Sequence, residues 1–155
     1  MASSKCKTVA VIVSSGFGTG YARVMPGTVG TVAALVVWYL LKSIGVWTDR
    51  WGDLCVALGV TTLGTFSVLS ALRENDQKDP QWIVIDEWAG ISVALIGVPV
   101  TAAYGMLAAF LTFRALDMVK PGPVGWVERL PGAYGIMADD LVAGVLAWCV
   151  VRLFI

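Results

Sequence analysis

Histidine is absent from the 155 residues, which removes the commonest general base, the Ser-His and Cys-His dyads and every histidine-ligated metal site. Charge is scarce as well: only 14% of residues are Asp, Glu, Lys or Arg, against roughly 25% in soluble domains. Eleven acids balance eleven Lys and Arg, and no basic run occurs, so nucleic acid is not an expected partner. The cysteines, Cys6, Cys55 and Cys149, are odd in number and lack metal-ligand spacing, which leaves no disulfide framework or thiol site to defend. Strand-like alternation is not sustained anywhere, so the expected class is all-α. Any chemistry must use carboxylates, Lys or Arg, hydroxyls, backbone amides or a hard cation.

What is abundant is hydrocarbon. Hydrophobic residues make up 57% of the chain and the mean hydropathy is +0.77, values that point to an integral membrane protein folded as one domain, residues 1–155. Seven Trp and four Tyr suit an interfacial belt as well as they suit a core. Five apolar segments are expected: Thr28 to Val46, Leu54 to Leu72, Asp86 to Val98, Ala102 to Leu116 and Leu141 to Ile155. The first two approach the roughly 20 residues that cross a bilayer; the other three are short, and the third and fourth form a thin or re-entrant hairpin, or two buried helices. Val9 to Val13 falls short of the roughly 7 to 15 residues of a signal peptide. Asp49, Arg50 and Asp53 read as a polar turn, and residues 73–81 as a solvated loop.

If all five segments cross, Lys5, Lys7, Arg23, Arg73, Lys78, Arg114, Lys120 and Arg129 share one face, leaving Lys42, Arg50 and Arg152 on the other. The positive-inside tendency makes the crowded face cytoplasmic.

Four polar clusters converge on that face. The first runs from Gly16 to Thr31, where Gly16, Gly18, Gly20, Gly27 and Gly30 offer amides and Thr19, Thr28 and Thr31 offer hydroxyls ahead of a helix, an arrangement suited to an anion. It matches neither a Walker loop nor a dinucleotide fingerprint, and its plain alternative is a flexible leading loop with an N-cap Thr. The second is Asp86-Glu87, whose mutual repulsion among Ile83, Ile85 and Trp88 asks for a cation. The third is Arg114, Asp117 and Lys120, spaced either as an ion-pair ladder along one helix or as a metal ligand flanked by phosphate binders. The fourth is Asp139-Asp140, read as opening the last apolar helix. Five carboxylates with no His or Cys nearby favour Mg²⁺, with Mn²⁺ or Ca²⁺ as alternatives. The run from Phe113 to Gly144, with three prolines and Lys120 between its acids, is expected to be irregular.

The blocks FGTGYARVMPGTVGT (Phe17 to Thr31), IDEWAG (Ile85 to Gly90), FRALDMVKPGP (Phe113 to Pro123) and GAYGIMADDLVAG (Gly132 to Gly144) resemble, in order and spacing, the phosphatidylglycerophosphatase A family of bacterial inner-membrane enzymes. Gly122 and Ala133 depart from the family pattern without touching a carboxylate. The resemblance implies Mg²⁺-dependent removal of the terminal phosphate of phosphatidylglycerophosphate. By position it implies a site of Asp86, Glu87, Asp117, Lys120, Asp139 and Asp140 beside the Pro26-Gly27-Thr28 turn. Arg114, Lys120, Thr28, Gly27 and Thr31 are then the expected phosphate binders, and water or an aspartate the nucleophile. Two other classes are weighed: an ion-coupled transporter or channel, which would set acids near mid-span, and a silent lipid-binding scaffold whose acids merely cap helices.

Overall fold

The computed structural model describes residues 2–73 and 80–154, without the side chains of residues 2–7. Every regular element among the described residues is helical: α1 (Ala2–Ser14), α2 (Pro26–Ser43), α3 (Arg50–Leu72), α4 (Ile85–Ala94), α5 (Ala103–Val119), α6 (Pro123–Val127) and α7 (Ala133–Val151), with one 3₁₀ turn at Thr19–Tyr21.

Local chemistry sets the boundaries. Pro26 opens α2, where its missing N–H is no loss, and Gly45, at φ +80°, lies just past its end. The Asp49 side chain accepts from the Gly52 amide at 2.9 Å, an N-cap that starts α3 four residues before the expected apolar run. Arg50 and Asp53 thus belong to a helix and not to a polar turn. The segment between Asp117 and Asp139 is only partly irregular, since Pro123 starts the single turn of α6 and α7 begins at Ala133. Asp139 and Asp140 consequently lie within α7, seventh and eighth along it, and do not open it.

The bundle is built around α4. Ten-residue α4, about 15 Å in length, packs against α7, α3, α2 and α5, and Ala89, Ile91 and Ala94 have no exposed surface. Its crossing with α7 is a backbone-to-backbone contact between Gly90 and Gly144, the close approach that small residues permit in membrane bundles. Phe113 from α5 fills the remaining side of Gly90 and is itself fully buried.

Two helices, α3 and α7, are both long and apolar enough to cross a membrane among the described residues, so five full crossings are not what the helix lengths give. Exposed apolar side chains such as Leu58, Leu63 and Phe66 on α3 and Leu107 and Leu111 on α5 suit a lipid-facing surface.

The far end of the bundle is locked by an ion pair. Lys42 Nζ lies 2.7 Å from both oxygens of Asp53, each side chain almost wholly buried. Trp47 Nε1 and the Gly97 amide also donate to Asp53, and Lys42 donates to the Val98 carbonyl. This satisfaction of every charge is what lets a buried pair persist. It joins the end of α2, the start of α3 and the turn after α4. The start of α2, the start of α4 and the end of α5 therefore meet at the opposite end. Of the basic residues expected there, Lys5, Lys7 and Lys78 lie outside the described side chains, while Arg23, Arg73 and Arg129 are exposed.

Candidate active site

At that opposite end lies a cavity of about 330 Å³ whose lining includes Gly27, Asp86, Glu87, Arg114, Asp117, Lys120, Asp139 and Asp140. Five carboxylates face two cations there. Asp86 and Glu87 come from the first turn of α4 and Asp140 from α7, and one oxygen from each lies within 4.8 Å of the others. Asp117, near the end of α5, lies beside Asp140.

The partners are unevenly shared. Arg114 Nη1 pairs with Asp117 and sits 3.7 Å from Glu87 Oε1, while Nη2 donates to the Thr28 hydroxyl at 3.3 Å. Lys120 does not continue that ladder. At φ +47° it terminates α5 in the left-handed region, which turns it toward α7, where Nζ holds Asp139 Oδ2 at 2.8 Å and Glu128 Oε1 at 2.6 Å. Burial pulls the Lys120 ammonium toward neutrality, but these two carboxylates outweigh it and keep it protonated, above its ordinary range. Asp139 therefore has a cation already, whereas Asp86, Glu87 and Asp140 are mutually repelling.

Electrostatics at the head of α4 reflect that crowding. Burial, then the charge of Glu87, raises the Asp86 carboxyl well above its usual range. Burial and the charge of Asp140 push Glu87 up to about 8, against the pull of Asp86 and Arg114. Glu87 Oε2 and Arg114 Nε are buried with no hydrogen-bond partner. An unpartnered carboxylate oxygen in an all-oxygen cluster fits a hard divalent cation, and Asp86, Glu87 and Asp140 are the residues able to hold it.

Several expectations need correcting. Thr31 is fully buried and spends its one donor on the Gly27 carbonyl at 2.9 Å, so it offers nothing to a phosphate. The amides of Gly18 and Gly20 bond to Ser15, and that of Gly16 to Val13, because the loop folds into its own turn. Gly30 packs on Val84. Gly27 alone of these glycines lines the cavity, in direct approach to Glu87 Oε1, so a side chain there would displace that carboxylate. Glu128, the second anchor of Lys120, was not singled out from the sequence, because the chain between them leaves α5 and restarts at Pro123, so helical spacing does not relate the two. Gln81, assigned to the solvated loop, also lines the cavity.

The profile of the Phosphatidylglycerophosphatase A family matches residues 12–155. The chain belongs to that family. It is 36% identical over 137 residues to the Phosphatidylglycerophosphatase A of Escherichia coli, spanning 88% of this chain and 77% of that protein. The Haemophilus influenzae protein of the same name is 32% identical over 143 residues, 90% of this chain and 85% of its own. A Bacteroides thetaiotaomicron protein with a provisional phosphatidylinositol-3-phosphatase name is 32% identical over 146 residues, 91% and 90%. No solved structure matches the chain. Family membership makes the chain a phosphatase, and the acidic cavity is its candidate active site.

Proposed function

We propose that the chain hydrolyses the terminal phosphomonoester of phosphatidylglycerophosphate to phosphatidylglycerol and inorganic phosphate, with Mg²⁺ as cofactor, in phospholipid biosynthesis. The observation that carries this reading is the meeting of Asp86, Glu87 and Asp140 within 4.8 Å, Glu87 with an unpartnered oxygen, beside two cations in a chain of this family.

In this reading Asp86, Glu87 and Asp140 hold the metal, with Asp117 and Asp139 completing the acidic shell. When bound, Mg²⁺ supplies positive charge for the phosphoryl oxygens, which otherwise face a cavity dominated by carboxylates. Arg114 directs its guanidinium to the phosphoryl group, its unpartnered Nε being a donor in reserve, while Thr28 steadies Nη2. Lys120 exchanges Asp139 or Glu128 for a phosphoryl oxygen. Asp139, which lines the cavity, is when released a base within reach of the attacking water. The first turn of α2 adds the N–H groups of Gly27 and Thr28, which have no acceptor inside their own helix.

The chain is read as a multi-pass protein of the bacterial inner membrane with this cavity toward the cytoplasm. α3 and α7 cross, α2 joins them, and α4 with α5 forms the short hairpin. Exposed Arg23, Arg73 and Arg129, beside the cavity in sequence and topology, support that orientation.

Phosphate release from phosphatidylglycerophosphate in detergent, with and without EDTA, tests the function. Release that EDTA abolishes and Mg²⁺ restores is the expected result. No release with any divalent metal would favour the ion-coupled transporter, a class that the position of Asp139 and Asp140 inside a potential span keeps under test.

A further inference from the structure

A second cavity, about 340 Å³, is an apolar cleft between α2 and α5 on the outside of the bundle. The two helices run antiparallel and the lining keeps a strict register. Val32, Val36 and Tyr39 descend α2 as Phe110, Met106 and Ala103 recede along α5. One turn further toward the acidic cavity, the same register brings Thr28 opposite Arg114, and these are the residues joined by the 3.3 Å hydrogen bond. Gly27, next to Thr28, and Asp117, a turn beyond Arg114, both line the acidic cavity, as does Arg114 itself. The apolar cleft and the acidic cavity are therefore consecutive stretches of one seam, divided by a cationic bridge.

We propose that this cleft holds an acyl chain of the phospholipid whose terminal phosphate occupies the acidic cavity. The inference rests on the lipid-phosphatase reading and adds to it a substrate path. A phospholipid of this class carries two phosphates. With the monoester at the carboxylate cluster, the phosphodiester crosses the Arg114–Thr28 bridge and the hydrocarbon continues down the seam. The cleft runs about 10 Å from Val32 to Tyr39. A single extended hydrocarbon chain is slender enough to lie along it, and the continuity with the acidic cavity is what selects a lipid carrying a phosphate at one end as the occupant. Val32 and Val36 are exposed, so the cleft is open along its length to the surrounding lipid.

The test uses the full chain in detergent with phosphatidylglycerophosphate bearing a diazirine midway along one acyl chain, irradiated and mapped by mass spectrometry. Adducts on residues 32–39 and 103–110, suppressed by excess unlabelled phosphatidylglycerophosphate but not by phosphatidylcholine, are expected, while Leu58, Leu63 and Phe66 label without competition. Labelling of the cleft that resists the specific competitor would make it ordinary lipid contact, and cross-links between copies at α2 and α5 would make it an oligomer interface; either overturns the proposal. Independently, Leu107→Trp narrows the cleft at an exposed lining position. It should lower kcat/KM for long-chain relative to short-chain substrate about tenfold, the equivalent of about 1.4 kcal/mol; an equal effect on both lengths sinks the idea. Phosphate release with uncompeted labelling defeats the acyl path alone. No release from any phospholipid defeats the phosphatase reading as well.

Discussion

Gly90→Ala is the most informative single substitution, because Gly90 touches the candidate site only through backbone. A methyl group there would lie 2.7 Å from the Asp140 carbonyl oxygen and 2.5 Å from Phe113 Cε2. Ordinary contact begins at 3.4 Å, so α7 must retreat from α4 by about 0.7 Å, since the fully buried Phe113 ring has nowhere to go. Asp86 stands one turn before Gly90 on α4, so the retreat widens the gap between Asp86 and Asp140, two of the three groups that converge within 4.8 Å. Misplacement of about 1 Å costs on the order of 100-fold in rate, so a loss of roughly 30- to 100-fold is expected, with weaker Mg²⁺ binding. Stability should fall by no more than about 2 kcal/mol. Overpacking costs about 1 to 3 kcal/mol, and alanine returns about 1 kcal/mol of helix propensity. Phosphate release against Mg²⁺ concentration, paired with thermal melting in detergent, separates the two. Gly59→Ala on α3, where an added methyl meets nothing within 4 Å, is the control and should keep full activity. A well-folded Gly90→Ala protein with unchanged turnover and metal affinity would refute the claim that this helix crossing sets the carboxylate spacing.

Asp86→Asn and Asp140→Asn should each lower kcat/KM at least about 100-fold, or about 2.7 kcal/mol; retention of near wild-type turnover and Mg²⁺ dependence would remove them from the chemistry. Glu87 is held near 8 in the metal-free chain, so a cation must displace its proton. Apparent Mg²⁺ affinity should therefore weaken as pH falls below that value, by about tenfold or more per pH unit, readable by calorimetric titration, and an affinity that does not change with pH would refute it. Lys120→Met should raise KM and leave Asp139 without its cation, whereas Glu128→Gln, which keeps the Lys120–Asp139 contact, should cost only a few-fold by the same assay. At the far end, Lys42→Met should destabilise the bundle by about 3 to 5 kcal/mol by stranding buried Asp53. The double change with Asp53→Leu should recover much of that in melting experiments.

The sequence by itself determined the class and the chemistry. The absence of histidine excluded imidazole chemistry, and few charges with long apolar runs and no sustained strand alternation pointed to a helical membrane bundle. The quoted blocks carried the family, because turn residues and acids at fixed spacing are local properties that survive in one dimension. Tertiary structure decided which acids converge. Asp86, Glu87 and Asp140 share a point because α4 and α7 cross at Gly90 and Gly144, a contact between residues 54 apart with no periodic trace. Lys120 left its helical ladder for Asp139 and Glu128 because the chain turns left-handed at that residue, and Asp139-Asp140 moved inside α7 because the six residues before them could be helical once packed. Thr31 was lost to the site for a similar reason. Its hydroxyl faces its own helix, and only the packed structure fixes which side of a helix a residue presents.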